Sequence, residues 1–233
     1  FQRWNSIRTP ASAYLIIHGT FLFAIVSWAV LRLAADVRDR VTRVATIRNV
    51  VLWGFLFGTV LGLLWFESRT SIPVDKMPPT PWTPFIGAVL LTLGASIVSR
   101  PVVSPAERFG GWLVIVGALL TQFVEYVVLA GDIGRMNTVF KFYIQVWMLW
   151  SVLTGVAIAW LAPSLRGKPW GAWWKAAMAV LLAAGLVYTV TATRAKIEDR
   201  FPAMGVLTPE EREAFEASRG PGLSGIAYQD YAI

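Results

Sequence analysis

Long apolar runs that are nearly free of charge set the strongest limit on how this chain can fold. Each run approaches the roughly 20 residues that an α-helix needs to cross the hydrocarbon core of a bilayer. The six runs lie at about 11–35, 50–66, 85–99, 110–131, 138–162 and 176–194. Charged residues make up 15% of the chain, compared with about 25% in soluble domains. The sequence therefore predicts an all-α, polytopic transmembrane helical bundle of about six spans.

The remaining segments are expected to lie outside the membrane. Residues 1–194 form the predicted transmembrane region, and residues 195–233 form a tail with a short helix at about 209–219. The tail helix is indicated by a Thr-Pro-Glu-Glu sequence at 208–211, in which Thr can cap a helix that begins with Pro. The 85–99 run is short for a crossing and is compatible with a tilted or partly embedded helix. Because the sequence starts at Phe1 and not at Met, and stops without an obvious end signal, we expect a fragment of a longer protein.

The composition excludes several classes of site and partner. The chain has no Cys and a single His, His18, so thiol catalysis, disulfides and His-rich metal sites are ruled out. We expect His18 to form a hydrogen bond to a neighbouring helix. A net charge of +7 could indicate nucleic-acid binding, but in a membrane protein basic cytoplasmic loops explain it more simply. The expected partners are therefore membrane lipids and not nucleic acid.

The distribution of Lys and Arg predicts the orientation of the bundle. The side that holds the 36–49, 99–109 and 163–175 loops carries ten basic residues, and the short segments of the other side carry six. The positive-inside rule places the more basic side in the cytoplasm. The protein is then an integral, multi-pass protein of the cytoplasmic membrane, with the 132–137 turn and the tail on the outer side.

Polar and charged residues concentrate where the fourth and fifth predicted spans meet. Glu125 and Asp132 share one face of span four, and Asn137, Lys141 and Gln145 recur at four-residue spacing on span five. Ionisable groups inside a span cost a few kcal/mol each on insertion scales, so they persist when they are paired or line a wet cavity. The short connection between the spans allows the two faces to meet. The candidate residues are Glu125, Asp132, Arg135, Asn137, Lys141, Tyr143 and Gln145.

Two interpretations of this cluster remain open from spacing alone. In the first, Glu125 pairs with Lys141 and Asp132 pairs with Arg135, and the pairs clamp two helices together. In the second, the cluster is a polar pocket at the outer membrane face, where Arg135 and Lys141 bind a phosphate and a carboxylate orients a hydroxyl group.

A resemblance to a known family bears on this choice. The stretch Arg-Met-Asn-Thr-Val-Phe-Lys-Phe-Tyr-Ile-Gln-Val-Trp at 135–147 resembles the signature of the YYY membrane proteins, which are large multi-spanning proteins of unassigned function. Weaker similarity is found in the segment entering the first span, from Arg8 to Phe23, and in Leu-Ser-Gly-Ile-Ala-Tyr at 223–228. In the latter, Ser224 stands where the family usually has Asp.

The YYY proteins are similar at fold level to GT-C class glycosyltransferases, which use polyprenyl-phosphate sugars at the outer membrane face. The resemblance implies that Arg135 and Lys141 bind the donor phosphate and that Asn137, Tyr143 and Gln145 line the pocket. It also implies that Glu125 and Asp132 are the catalytic residues, orienting the acceptor or a divalent metal ion. The acidic loop typical of GT-C enzymes would lie upstream of residue 1.

Two other functions are compatible with the sequence. The first is a non-catalytic membrane subunit that associates with additional subunits or with the remainder of a longer chain. The second is a transporter, which is disfavoured because the sequence has no internal repeat and no acidic relay across several spans.

Overall fold

The computed structural model describes residues 1–4, 8–71, 82–132 and 134–200, together with Pro209, Glu210 and Glu213. The described parts form six α-helices and one pair of two-residue strands. The helices are α1 (Ala11–Arg38), α2 (Arg43–Ser71), α3 (Trp82–Val98), α4 (Pro105–Tyr126), α5 (Met136–Leu165) and α6 (Pro169–Arg200), and the strands are β1 (Gln2–Arg3) and β2 (Val127–Val128).

Five of these helices are long and apolar enough to cross a membrane. The exception is α3, which has 17 residues and corresponds to the short predicted run at 85–99. The prediction of an all-helical, polytopic membrane bundle is thus confirmed. The chain divides into two compact units, Phe1–Leu181 and Leu182–Ile233. Of the expected tail helix, only Pro209, Glu210 and Glu213 are described and all three are helical; the rest of that prediction lies outside the described residues.

Polar contacts show that helices α1 to α5 alternate in direction within the first unit. The start of α3 and the segment before α1 meet where the Thr83 hydroxyl donates to the Thr9 carbonyl at 2.7 Å. The end of α4 joins them, because Thr9 also contacts Glu125. At the opposite end, Asp36 of α1 contacts Arg100, just after α3. We call these two ends of the bundle the Glu125 end and the Asp36 end.

Close packing of α3, α4 and α5 depends on small residues. A Cβ atom added to Gly94 of α3 would lie 3.0 Å from the carbonyl oxygen of Gly111 on α4. A Cβ atom on Gly117 of α4 would meet the indole nitrogen of Trp150, which is buried and donates to the carbonyl of Leu113 at 3.2 Å. Helices in membranes approach closely where such small residues line the contact.

A buried ionic network closes the Asp36 end. The guanidinium group of Arg100 makes two hydrogen bonds to the carboxylate of Asp36, at 2.5 and 3.0 Å. Its remaining nitrogen lies 3.3 Å from Glu107, which is also paired with Arg32 at 2.6 Å. Glu107 further completes a capping box with Ser104 at the start of α4. Paired charges of this kind fix the relative positions of α1, α3 and α4.

Helix α4 ends earlier than the sequence indicated. The predicted fourth span continued to about residue 131, whereas α4 ends at Tyr126 and the next two residues form β2. Strand β2 pairs antiparallel with β1, and the backbone N–H of Trp4 donates to the carbonyl of Tyr126 at 2.9 Å. Backbone pairing with the first residues of the chain therefore replaces the last helical turns.

Candidate functional site

Glu125 forms the centre of a polar cluster at the Glu125 end. It lies in the last turn of α4 and is only 1% exposed. Its carboxylate accepts hydrogen bonds from the backbone N–H of Thr9 at 2.9 Å and from the Thr9 hydroxyl at 2.6 Å. Oε1 also lies 3.0 Å from Nη1 of Arg135. The cost of burying this carboxylate is thus offset by an ion pair and by two further hydrogen bonds.

Arg135 connects three parts of the chain. It precedes α5, and its Nη1 donates to the carbonyl oxygen of Val124 on α4 at 2.9 Å. Its Nη2 donates to the hydroxyl of Thr9, before α1, at 2.7 Å. The predicted clamp between Glu125 and Lys141 is therefore wrong, because the acid is paired with Arg135. Lys141 lies on another face of α5 and is exposed.

Asp132 caps the start of α5. Its Oδ2 accepts from the backbone N–H and the hydroxyl of Thr138, at 2.8 and 2.7 Å, and its Oδ1 accepts from the backbone N–H of Asn137 at 3.3 Å. The hydroxyl of Thr138 contributes most to holding the pKa of this carboxyl below its usual value. The predicted pair of Asp132 with Arg135 is wrong, because the first free N–H groups of α5 are nearer partners.

Arg8 is a member of the cluster that the sequence did not single out. Its side chain packs 4.3 Å over the ring of Tyr126, and the residue is 6% exposed. Among the described residues, its Nη1 and Nη2 and the Tyr126 hydroxyl are buried without a hydrogen-bond partner. Burial lowers the pKa of Arg8, but guanidinium groups remain protonated in proteins. The sequence signals were a basic residue directly before the first apolar run and the weak family similarity that begins at Arg8.

An aromatic layer lies below the ionic cluster, toward the middle of the bundle. His18 is fully buried, and its ring centroid lies 4.8 Å from that of Tyr14, 4.7 Å from that of Tyr143 and 5.4 Å from that of Trp150. Both nitrogens of His18 are without a hydrogen-bond partner among the described residues. The expected hydrogen bond to a neighbouring helix is therefore replaced by ring contacts. Tyr143, a predicted pocket residue, is buried in this layer.

The other predicted pocket residues lie on the outer surface of α5. Asn137, Lys141 and Gln145 are all exposed. They share a helix face with one another, as their spacing indicated, but that face does not meet Glu125. The structure therefore divides the predicted site into an inner set (Glu125, Arg135 and Tyr143), an outer row (Asn137, Lys141 and Gln145) and Asp132 at the turn.

A cleft of about 370 Å³ opens at Tyr126, the residue that follows Glu125. Its wall includes Tyr126, which carries Arg8 on its ring, and Leu64 of α2. The salt bridge between Arg3 and Glu67 lies at the same cleft, with an N–O distance of 2.9 Å. The remaining lining residues are Phe1, Gln2 and Val127.

The two carboxylates of the site do not fit a divalent metal ion. The oxygens of Glu125 are occupied by Thr9 and Arg135, and those of Asp132 by N–H groups and a hydroxyl group. Within the described residues, no three His, Cys, Asp or Glu side chains gather as metal ligands would. The contacts of Glu125 and Asp132 therefore do not support the metal-orienting role that the resemblance allowed for them.

Comparison with known proteins places the chain in a family without assigning an activity. A family model described as an uncharacterized membrane protein (DUF2298) matches residues 2–150, which include α1 to α4, the Glu125 cluster and the first half of α5. No curated protein and no solved structure matches the chain. The match covers well over half of the sequence, and it agrees with the helical membrane architecture. The chain belongs to the DUF2298 family of uncharacterized membrane proteins.

Proposed function

We propose that this chain is the donor-binding part of a membrane-embedded glycosyltransferase of GT-C type, which uses a polyprenyl-phosphate sugar at the outer membrane face. The observation that carries the proposal is a change of polarity along one exposed face of α5. At the Glu125 end this face is polar, and farther along the helix it becomes apolar. An amphiphile with a phosphate head and a hydrocarbon tail has the same arrangement.

The geometry of α5 makes this face continuous. With 3.6 residues per turn, the side chains concerned fall within a sector of about 100° over a length of about 28 Å. The polar part consists of Asn137, Lys141 and Gln145, and the apolar part of Met148, Val152 and Val156. All six residues are exposed. We call this face the α5 stripe.

The chemistry of the polar part fits a phosphate. Lys141 supplies a compact positive charge, and the amides of Asn137 and Gln145 supply additional hydrogen-bond donors one turn to either side. In contact with lipid tails alone, the Gln145 amide would lack partners, which costs free energy. A bound headgroup provides acceptors for all three side chains. The apolar part then contacts the first isoprene units of the donor.

The inner set supports this role by positioning α5. Glu125 and Arg135 hold the start of α5 against α4 and the segment before α1, so the α5 stripe has a fixed place at the Glu125 end. The carboxylate of Glu125 is fully hydrogen-bonded, and Asp132 caps the helix. In this arrangement we assign both acids positioning roles, and we assign activation of the acceptor to an acid outside this cluster.

The proposal is tested by sugar transfer from polyprenyl-phosphate donors in the full-length protein. We expect Lys141→Ala to lower transfer roughly tenfold or more, because a charged partner of the phosphate contributes about 1.5–3 kcal/mol. Lys175→Ala is the matched control, since it removes an exposed Lys from α6, which does not contribute to the α5 stripe. If both variants transfer sugar at the wild-type rate, the assigned role of the α5 stripe is wrong.

A second candidate is a non-catalytic membrane subunit. It is favoured by α2 and α6, because only 6% of the most apolar stretch of each helix is buried within the chain. Such faces are available to other membrane helices as well as to lipid. Purification of the full-length protein in a stable complex, together with no transfer from any polyprenyl-phosphate sugar, would favour this candidate.

A further inference from the structure

The buried guanidinium of Arg8 and the hydroxyl of Tyr126 mark a second site, and we infer that they bind a phosphate group at the Glu125 end. This site is independent of the α5 stripe. It is formed by the segment before α1 and the last residue of α4, and it does not rest on the proposed transferase activity.

The charges of the polar cluster around Glu125 do not balance. Among the described residues of this cluster, Glu125 is the one buried acid beside two buried or nearly buried cations, Arg8 and Arg135. Its oxygens are already occupied by Thr9 and Arg135. Arg3 is balanced separately by Glu67. One positive charge, that of Arg8, is therefore left without a close partner in the part of the chain that the structure describes.

The unpaired groups of the site are hydrogen-bond donors, as the binding of an oxyanion requires. Nη1 and Nη2 of Arg8 and the hydroxyl of Tyr126 are all buried, and none of them has a hydrogen-bond acceptor among the described residues. A buried charge without a partner is strongly unfavourable, and the ring of Tyr126 compensates only part of its cost. The fork of a guanidinium group matches two oxygens of a phosphate, and a tyrosine hydroxyl can donate to a third.

The adjacent cleft provides the route and indicates the kind of phosphate. Tyr126 both carries Arg8 on its ring and lines the cleft of about 370 Å³, which lies within the range of about 300–1,000 Å³ for small-molecule sites. Phe1, Leu64 and Val127 give the cleft an apolar wall. Tyr126 is thus the residue that connects Arg8 with the cleft. The ligand is therefore a phosphate, either free or carrying an apolar substituent such as a lipid.

The test measures phosphate binding by the full-length protein in detergent micelles, using calorimetry with inorganic phosphate and with a single-chain alkyl phosphate. We expect saturable binding of at least one of them, weakened roughly tenfold or more by Arg8→Gln and a few-fold by Tyr126→Phe. Arg3→Gln removes a cation from the same cleft and should change binding less than about twofold, because Arg3 is exposed and paired.

Each outcome of this test has one meaning. Binding of inorganic phosphate identifies a free phosphate as sufficient, whereas binding of the alkyl phosphate alone identifies a lipid headgroup. If neither probe binds the wild type saturably, or if Arg3→Gln weakens binding as much as Arg8→Gln does, the inference is overturned. Should Arg8→Gln fail to fold, Tyr126→Phe decides, and unchanged binding in that variant overturns the inference. Intact phosphate binding in a transferase-inactive Lys141→Ala variant would show that the two sites are separate.

Discussion

The carboxylate of Glu125 and the guanidinium of Arg135 lie 3.0 Å apart at the end of α4 and the start of α5. Both groups also contact Thr9, so the pair joins α4, α5 and the segment before α1 through one set of charge-assisted hydrogen bonds. A pair of this kind contributes more to the relative position of the helices than to net stability, because both groups lose hydration when they are buried.

Removing one partner should therefore destabilise the protein strongly. In Arg135→Ala the Glu125 carboxylate stays buried without its counter-ion, and we expect the free energy of unfolding to fall by about 3–5 kcal/mol. Thermal unfolding in detergent measures this effect. Lys141→Ala, which removes an exposed cation from the same helix, should change stability by less than about 0.5 kcal/mol. Equal losses in the two variants would contradict the importance of the buried pair.

The Asp36 end allows a second comparison between two arginines that share one acid. The side chain of Arg100 is 2% exposed and contacts Asp36 and Glu107, whereas that of Arg32 is 41% exposed and, among the residues that the structure describes, is paired with Glu107. We expect Arg100→Ala to cost about 3–5 kcal/mol and Arg32→Ala about 1 kcal/mol or less. Chemical or thermal unfolding of the two variants shows which substitution lowers the free energy of unfolding more. A greater loss of stability in Arg32→Ala would show that the exposure of an arginine does not determine its contribution to this network.

The cap formed by Asp132 should weaken in acid. Its pKa is below the usual 3.8, mainly because the Thr138 hydroxyl donates to it, so its stabilising effect is present above pH 3.8 and is lost as the pH falls through the lowered value. We expect Asp132→Ala to increase hydrogen exchange at the N–H groups of Asn137 and Thr138 at neutral pH. At a pH below the lowered pKa, wild type and variant should exchange alike. A difference that persists undiminished in strong acid would rule out the carboxylate as its cause.

Small residues at helix contacts should not tolerate an added methyl group. In Gly117→Ala the new Cβ would overlap the indole of Trp150, and we expect a loss of about 1–3 kcal/mol from overpacking. The matched control is Gly62→Ala on α2, where nothing lies within 4 Å of the added atom. That variant should be unchanged or more stable by up to about 1 kcal/mol, since Ala favours helix over Gly. Thermal unfolding compares the stability of the two variants. Equal stability would argue against the close contact of Gly117 with Trp150.

The helices could be predicted from the sequence because uncharged apolar runs leave few alternatives to transmembrane helices. The polar cluster could be located for a related reason, since Glu125 and Arg135 interrupt otherwise apolar surroundings. Their partners could not be predicted by spacing. The spacing predicts a fourth span that continues to about residue 131, whereas α4 ends at Tyr126, where β2 begins and pairs with β1. The face of span four that was expected to carry both Glu125 and Asp132 is therefore interrupted. That pairing joins residues more than a hundred positions apart, and no local pattern encodes it.

Arg8 illustrates the same limit. A basic residue directly before an apolar run normally lies in water or among headgroups, and nothing in its neighbours indicates burial. Its burial follows from Thr9, which holds this segment against Glu125. The residue becomes a candidate only when the ring of Tyr126 is seen to cover it.

The contacts of Thr9 also impose an order on biosynthesis. Its partners Glu125 and Arg135 lie 116 and 126 positions later in the chain, so ribosomal synthesis delivers α1 well before the groups that anchor it. Until α5 has been inserted, Arg8 and Thr9 lie next to the start of a membrane helix without their final contacts. Their location at the end of the helix allows this delay, because polar groups at the membrane–water interface stay hydrated until their final partners are in place. Closure of the cluster is thus a late step of membrane insertion, and it requires that α1, α3, α4 and α5 have all reached their places.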